Sequence, residues 1–254
     1  MTNAWIINIS VDDEVIGIVV HKPYDFKRTT VSIEERERQI HNVEREIGYQ
    51  FPTIIRTQQT HSNNVKVINE ENIDEKIENT DGLITNLKDV ALFSLIADCQ
   101  GILLYDPKKN IIGNIHSGWR GTLSRISTNA LNIMRKQFNS DPVDIKVYFS
   151  PSIHQCCFEV GEEVKTLFEK EFKEINLKDI IKGWEYKDHD QKYFIDMVEL
   201  NKRVLLDVWI KKENLLISDE CTVCNSDKFH SYRKDKPHEW RNLLIIALKN
   251  ISWK

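Results

Sequence analysis

The sequence predicts an α+β fold in which mixed β-sheets carry helices on their outer faces. Three observations support this. Short apolar runs of strand length recur along the chain. Amphipathic stretches of helix length lie between some of them. Successive strands are not each separated by one helix, which argues against a regular doubly wound parallel sheet.

The elements follow in order. Residues 5–10 and 15–21 read as an opening pair of strands. Residues 32–48 read as a helix, because Ser32 and Glu35 have capping-box spacing and Gly48 suits a left-handed stop. Residues 53–59 and 65–68 read as short strands around a loop that holds His61. Residues 91–96, 101–105 and 111–116 are apolar runs of strand length. A helix over about 123–138, a strand at 145–149 and a helix at 162–172 come next. Asp196, with Glu199 three positions later, caps a helix that runs to about residue 210. Residues 215–218 and 243–248 are late strands. No repeat, low-complexity segment or Pro/Gly/Ser-rich linker divides residues 1–254, so a single domain is expected.

Composition narrows the function. A hydrophobic fraction of 41% supports a sizeable core. The net charge of -4, with Lys and Glu interspersed, argues against a general nucleic-acid binder. No apolar run approaches the ~18 residues of a membrane span, so no membrane partner is expected. The opening MTNAWIINISVDDEVIG lacks the basic, apolar and small-residue regions of a secretory signal. The cysteines are Cys99, Cys156, Cys157, Cys221 and Cys224, an odd number with two adjacent. That is not a disulfide framework, and a reducing cytoplasm is the expected location.

Several clusters can carry chemistry. His61, in QTHS, sits between two strands and can be either a ligand or a part-exposed histidine. Cys99, in ADC, lies between two apolar runs and can be a small core residue. Its neighbour Asp98 needs a partner if buried, such as a histidine N–H or a metal ligand. In IHSGWRGT an apolar strand runs through His116 into a glycine turn and then a helix. Backbone N–H groups at Ser117 and Gly118, with Arg120, can form an anion site there, and a plain tight turn is the alternative. His61, Cys99 and His116 are the donor types that zinc prefers, and three ligands with an open position is a catalytic pattern. Their wide separation gives no zinc signature by spacing alone. Cys221-x-x-Cys224 lacks a second pair at zinc-ribbon spacing, and adjacent Cys156 and Cys157 are poor co-ligands, so these four read as structural thiols. Arg233 lies in a charged loop that can return a cation to the site.

Taken in order, QTHSNNV, DGLIT, ADCQGILLYDP, IHSGWRGT, SPSIHQCCFEVGEEV, the FID helix and CTVCNSDKFHSYRKD resemble the YfiH-like, or laccase-domain, family. The resemblance runs from about residue 55 to 235. It implies a layered α/β/β/α fold similar to the catalytic domain of cytotoxic necrotising factors. It implies one zinc on His61, Cys99 and His116, with copper a lesser alternative. It also implies phosphorolysis of adenosine, inosine and 5′-methylthioadenosine, with adenosine deamination in some members. Purine nucleosides and phosphate are then the partners, with Ser117, Gly118, Arg120 and Arg233 on the phosphate. Asp81 and Gly82 match the family's DG turn by the same resemblance. Two departures stand out: the family usually has two arginines where this chain has Arg233-Lys234, and a Gly-Arg pair where it reads Trp240-Arg241. Lysine cannot give the planar fork of arginine. A metal-free hydrolase with Cys99 as nucleophile and a histidine base is the rival reading.

Overall fold

The computed structural model describes residues 6–9, 13–27, 31–185, 191–238 and 240–250. Its first sheet is built from β1 (Ile6–Asn8), β2 (Val15–Val20), β3 (Thr53–Arg56), β6 (Val90–Ile96) and β14 (Asn242–Leu248), in the order β1-β2-β14-β6-β3. Its second sheet contains β4 (Val65–Ile68), β5 (Gly82–Thr85), β7 (Gln100–Asp106), β8 (Ile111–Ser117), β9 (Lys146–Phe149) and β13 (Leu215–Ile217), in the order β13-β9-β7-β8-β5-β4. A small third sheet joins β10 (Glu159–Val160), β12 (Gln191–Ile195) and β11 (Ile181–Glu185). Most neighbours are antiparallel; β3–β6, β4–β5 and β13–β9 are parallel.

The two large sheets face each other. Leu92 and Leu244 of the first pack with Leu103 and Ile112 of the second in one buried cluster. The outer face of the first sheet is covered by α1 (Ile33–Ile47), whose Ile40 and Val43 meet Phe93 and Ile245. The outer face of the second is covered by α3 (Ile126–Phe138) and α5 (Met197–Asp207), through Ala130, Met134 and Leu205 against Ile102 and Ile115. The layers therefore run helix, sheet, sheet, helix, as expected of the α+β class. Burial on both faces explains why β7, β8 and β14 read as continuous apolar runs rather than alternating ones. Asn114 joins the sheets: its side-chain amide donates to the carbonyls of Leu92 at 2.8 Å and Leu244 at 3.0 Å. This bridge lies two residues before His116 and fixes the sheet separation close to the site.

Capping chemistry sets the helix ends as read. The Ser32 hydroxyl accepts from the Glu35 amide, Gly48 closes α1 at φ 67°, and the Asp196 carboxylate accepts from the Glu199 amide. α4 (Glu162–Glu171) also falls where expected. The helix expected over about 123–138 is observed as α3, starting at Ile126; a separate short helix, α2 (Trp119–Leu123), precedes it, ends at Ser124, and is set off by Arg125 at φ 57°. Arg125 holds that turn through hydrogen bonds to Glu171 and Glu174. The first strand is observed at Ile6–Asn8, and Trp5 and Ser10 of the expected strand lie outside the described residues. The strand expected over 53–59 stops at Arg56, after which Thr57 makes a lone bridge to Ile77. The strands β5, β10, β11 and β12 and the short helix α6 (Tyr232–Asp235) are additions to the sequence reading.

Candidate metal centre

The site forms where the chain changes sheets. β6 belongs to the first sheet and β7 to the second, and Ala97-Asp98-Cys99 is the bend between them. Asp98 sits at φ 76°, a conformation that non-glycine residues seldom adopt. Its carboxylate offsets this by accepting from the Thr222 hydroxyl at 2.6 Å and the Arg233 amide at 2.7 Å. The expected histidine partner for Asp98 is not what the fold supplies. Both of its oxygens bind the C-terminal loop, and the histidine goes to a different carboxylate.

That carboxylate is Asp81, at the start of β5 and only 2% exposed. It accepts three consecutive backbone N–H groups: Thr60 at 3.1 Å, His61 at 3.0 Å and Ser62 at 2.8 Å. The Ser62 hydroxyl adds a fourth bond at 2.8 Å. His61 takes φ 61°, which turns successive amides toward one anion, as in a backbone nest. On its other side Asp81 accepts from His116 Nδ1 at 2.8 Å. One buried carboxylate thus positions both histidines, and it leaves Nε2 as the free ligating atom of His116. Burial raises the Asp81 pKa, but the hydrogen bonds of His116 and Ser62 outweigh it and hold the carboxyl far below the usual range.

His61, Cys99 and His116 converge. Their ligand atoms all lie within 4.8 Å of one another, and Cys99 Sγ is 3.8 Å from His61 Nε2. His116 is buried in β8, Cys99 is half-buried, and His61 is exposed, so the set opens to solvent on the His61 side. Burial pushes the Cys99 thiol up, but the charge and hydrogen bond of His116, and then His61, bring it down to about 6. Burial pushes His116 down, and the Cys99 charge and the Asp81 hydrogen bond bring it up to about 9. A thiolate and two imidazoles at this spacing, one backed by a carboxylate, form a donor set that suits a tetrahedral, borderline-soft cation with one position open. Gly118 makes room for it. A Cβ at that position would stand 2.8 Å from His61 Cδ2 and 3.0 Å from Cys99 Sγ.

The other predicted site residues are distributed around this centre. Ser117 is buried, and its hydroxyl pairs with that of Thr122 at 2.8 Å. Gly118 is the N-cap of α2, and a side chain there would run into the centre. Arg120 is exposed, with its guanidinium 4.2 Å above the Trp119 ring. Arg233 is anchored by its amide to Asp98, while its guanidinium reaches the carbonyls of Cys157 and Glu159. Two residues near the centre carry no site role in the sequence reading, where Asp81 matches only the DG turn and Arg241 falls at a departure from the family pattern. An aspartate opening a buried strand nonetheless signals a need for a partner. For Arg241, burial is the largest cause lowering its pKa, with the charges of Cys99, Asp25 and Asp98 opposing, and its guanidinium donates to the Trp240 carbonyl at 2.9 Å.

The four remaining cysteines also come together. Sequence spacing reads Cys156, Cys157, Cys221 and Cys224 as structural thiols. In the fold their sulfurs all lie within 4.8 Å of one another, and all are free thiols.

Fold and site together define a class: a two-sheet layered protein with a His–Cys–His centre at the crossing between sheets. Residues 19–249 match the family model for multi-copper polyphenol oxidoreductase laccase, and the chain belongs to that family. It is 26% identical over 244 residues to purine nucleoside phosphorylase YlmD of Bacillus subtilis, covering 92% of this chain and 86% of that protein. It is 34% identical over 197 residues to adenosine deaminase RL5 of an unknown prokaryotic organism, covering 74% and 72% respectively. It is 30% identical over 226 residues to a purine nucleoside phosphorylase of Clostridium acetobutylicum, covering 86% of each. The crystal structure of Bacillus licheniformis hypothetical protein YfiH has the same fold, with a TM-score of 0.83 at 21% identity over 92% of this chain and 93% of that one. No helix among the described residues is long and apolar enough to cross a membrane.

Proposed function

We propose that the chain is a zinc-dependent purine nucleoside phosphorylase acting on adenosine, inosine and 5′-methylthioadenosine, with adenosine deamination as a second reaction of the same site. The observation that carries this reading is the convergence of His61, Cys99 and His116 on one point, with Asp81 behind both histidines. Relatives named as purine nucleoside phosphorylases and as an adenosine deaminase support the substrate class. His61 Nε2, Cys99 Sγ and His116 Nε2 would hold the zinc. When bound, the ion supplies Lewis acidity to an oxygen at its open position.

In phosphorolysis a phosphate oxygen forms a bond to C1′ of the ribose as the bond from C1′ to the purine nitrogen breaks. The electron pair leaves with the base, which then takes up a proton. Arg241, with Arg120 and Arg233, supplies positive charge for the phosphate, and the first-turn amides of α2 after Gly118 add donors. Donors fixed before the reaction stabilise the charge that develops on the leaving purine. In deamination, water replaces the C6 amino group of adenosine and ammonia leaves. Residues 1–254 act as one catalytic domain in this reading. The reducing cytoplasm is its compartment, in keeping with five free thiols.

One observation favours a second reading. Cys99 Sγ lies 3.8 Å from His61 Nε2 and within 4.8 Å of the ligating nitrogen of His116. Against the effect of burial, these imidazoles lower the pKa of the thiol while it raises that of His116, an arrangement that suits a cysteine nucleophile with a histidine base. The two readings part under chelation and alkylation. A phosphorylase loses turnover to a chelator, recovers it with zinc, and is protected from iodoacetamide while metal-loaded. A hydrolase is indifferent to the chelator and is inactivated by iodoacetamide whether or not metal is added.

A further inference from the structure

Two turns that are far apart in sequence meet beside the first site. One carries Cys156 and Cys157 and leads into β10; the other carries Cys221 and Cys224 and leads toward α6. Cys224 Sγ lies 3.6 Å from Cys156 Sγ and 3.5 Å from Cys157 Sγ, and all four sulfurs fall within 4.8 Å of one another. A zinc–sulfur bond of about 2.3 Å makes the edge of a tetrahedral tetrathiolate about 3.8 Å long. The two separations from Cys224 are close to that edge. A disulfide would join Cys224 to one partner and leave the other sulfur displaced, yet the two stand almost equally far from it.

The surroundings also suit a coordinated thiolate. The His154 amide donates to Cys221 Sγ at 3.5 Å, so a backbone N–H already faces that sulfur. The Asn225 amide and side-chain amide both donate to the Cys221 carbonyl, at 3.0 and 2.9 Å, and close the Cys221-x-x-Cys224 turn into a compact knuckle. Ser152 and Cys221 form a parallel bridge, which holds the two turns in register without help from the sulfurs.

We propose that Cys156, Cys157, Cys221 and Cys224 form a second, structural metal site that takes a tetrahedral, thiophilic dication of the zinc class. All four positions are filled by protein sulfur, so the site is closed and has no place for substrate. Coordination replaces the thiol protons, which pass to the buffer, and no electrons are transferred. The ion clasps the turns that position two groups at the first site. Thr222, next to Cys221, holds Asp98, and the Arg233 guanidinium rests on the carbonyls of Cys157 and Glu159. This inference does not depend on the reaction proposed above.

The test is a cobalt titration of reduced, metal-free full-length protein. Wild type is expected to take two Co2+ per chain. The Cys99→Ala/His116→Ala variant is expected to take one, with the intense sulfur-to-cobalt charge-transfer absorption and visible bands of a tetrahedral tetrathiolate. The Cys156→Ser/Cys224→Ser variant is expected to lose that signature and keep the weaker one of a single thiolate. If the last variant does not fold, the Cys99→Ala/His116→Ala titration still decides. The proposal is overturned if that variant binds no cobalt, or binds it without strong charge-transfer absorption. It is equally overturned if freshly purified, unreduced wild type holds one metal and a disulfide from Cys224 to Cys156 or Cys157. A nucleoside assay that fails while two cobalts bind would reject the phosphorylase reading and leave this site standing.

Discussion

Replacing Asp81 by asparagine changes few atoms and has two consequences that can be worked out in advance. One carboxylate oxygen accepts from the His61 amide and His116 Nδ1, and the other from the Thr60 and Ser62 amides and the Ser62 hydroxyl. The new NH2 must occupy one of these positions. On the second side it faces two backbone donors. On the first it faces one backbone donor and an imidazole, and His116 escapes only by moving its proton to Nε2, the atom that would ligate metal. A buried donor left unpaired costs about 1–3 kcal/mol, so the cost is about 1–3 kcal/mol with the NH2 on the His116 side and about 2–6 kcal/mol on the other. For a chain of this size that lowers the melting temperature by about 2–24 °C. Loss of the carboxylate that orients a metal-binding histidine typically costs about 10–100-fold in metal affinity. Both effects can be read on one preparation, by thermal unfolding and by competition for zinc with a chromophoric chelator. Asp81→Asn with wild-type stability and zinc affinity would refute the role given to this residue.

The remaining predictions concern other parts of the molecule. Gly118→Ala places a methyl group 2.8 Å from His61 Cδ2 and 3.0 Å from Cys99 Sγ at an ordinary φ of -67°. It should weaken zinc binding about tenfold or more while costing only about 1–3 kcal/mol in stability, and unchanged affinity in the chelator assay would contradict it. Arg241→Ala should raise KM for phosphate more than it changes KM for nucleoside; equal effects on both would argue against an anion contact. His21 and His230 are buried, and burial is the largest cause holding both imidazoles below their ordinary value of 6.5. Above pH 6.5 neither the folded nor the unfolded chain carries these protons. Below it the unfolded chain takes them up first, so each histidine removes up to about 1.4 kcal/mol per pH unit as pH falls from about 6.5 toward its folded value. Urea midpoints should fall between about pH 7 and about pH 5, and less so in His21→Phe; parallel profiles would reject the assignment.

Much of the layered architecture is legible in sequence because burial leaves direct marks. β6, β7, β8 and β14 appear as apolar runs since both faces are covered. α1 and α5 announce themselves through the Ser32 and Asp196 caps. What stays hidden depends on tertiary partners. The break between α2 and α3 is set by Arg125 reaching Glu171 and Glu174, and nothing local to residues 123–126 forecasts it. The strands β11 and β12 pair with each other through short segments in which charged and apolar residues mix without a clear strand period. His61, Cys99 and His116 suit zinc by type, but only the sheet crossing at Asp98 brings them together. The proximity of the other cysteines is likewise hidden in the sequence. Spacing sets Cys156 and Cys157 apart from Cys221 and Cys224, and the Ser152–Cys221 bridge removes that distance. The sequence also leads toward Asp98 as a partner for a metal-site histidine, whereas the fold uses Asp81 for that task and Asp98 to anchor Thr222 and Arg233.

In the proposed function a metal held by His61, Cys99 and His116 serves purine nucleoside cleavage by phosphate. The most direct measurement follows ribose 1-phosphate and adenine formed from adenosine by zinc-loaded wild type and by Cys99→Ala, with and without phosphate. Wild type is expected to form the two products in equal amounts and only with phosphate, and the variant is expected to lose both products together with one zinc per chain. Ribose 1-phosphate absent from wild type that carries its full zinc, or formed undiminished by Cys99→Ala, would contradict the proposed function.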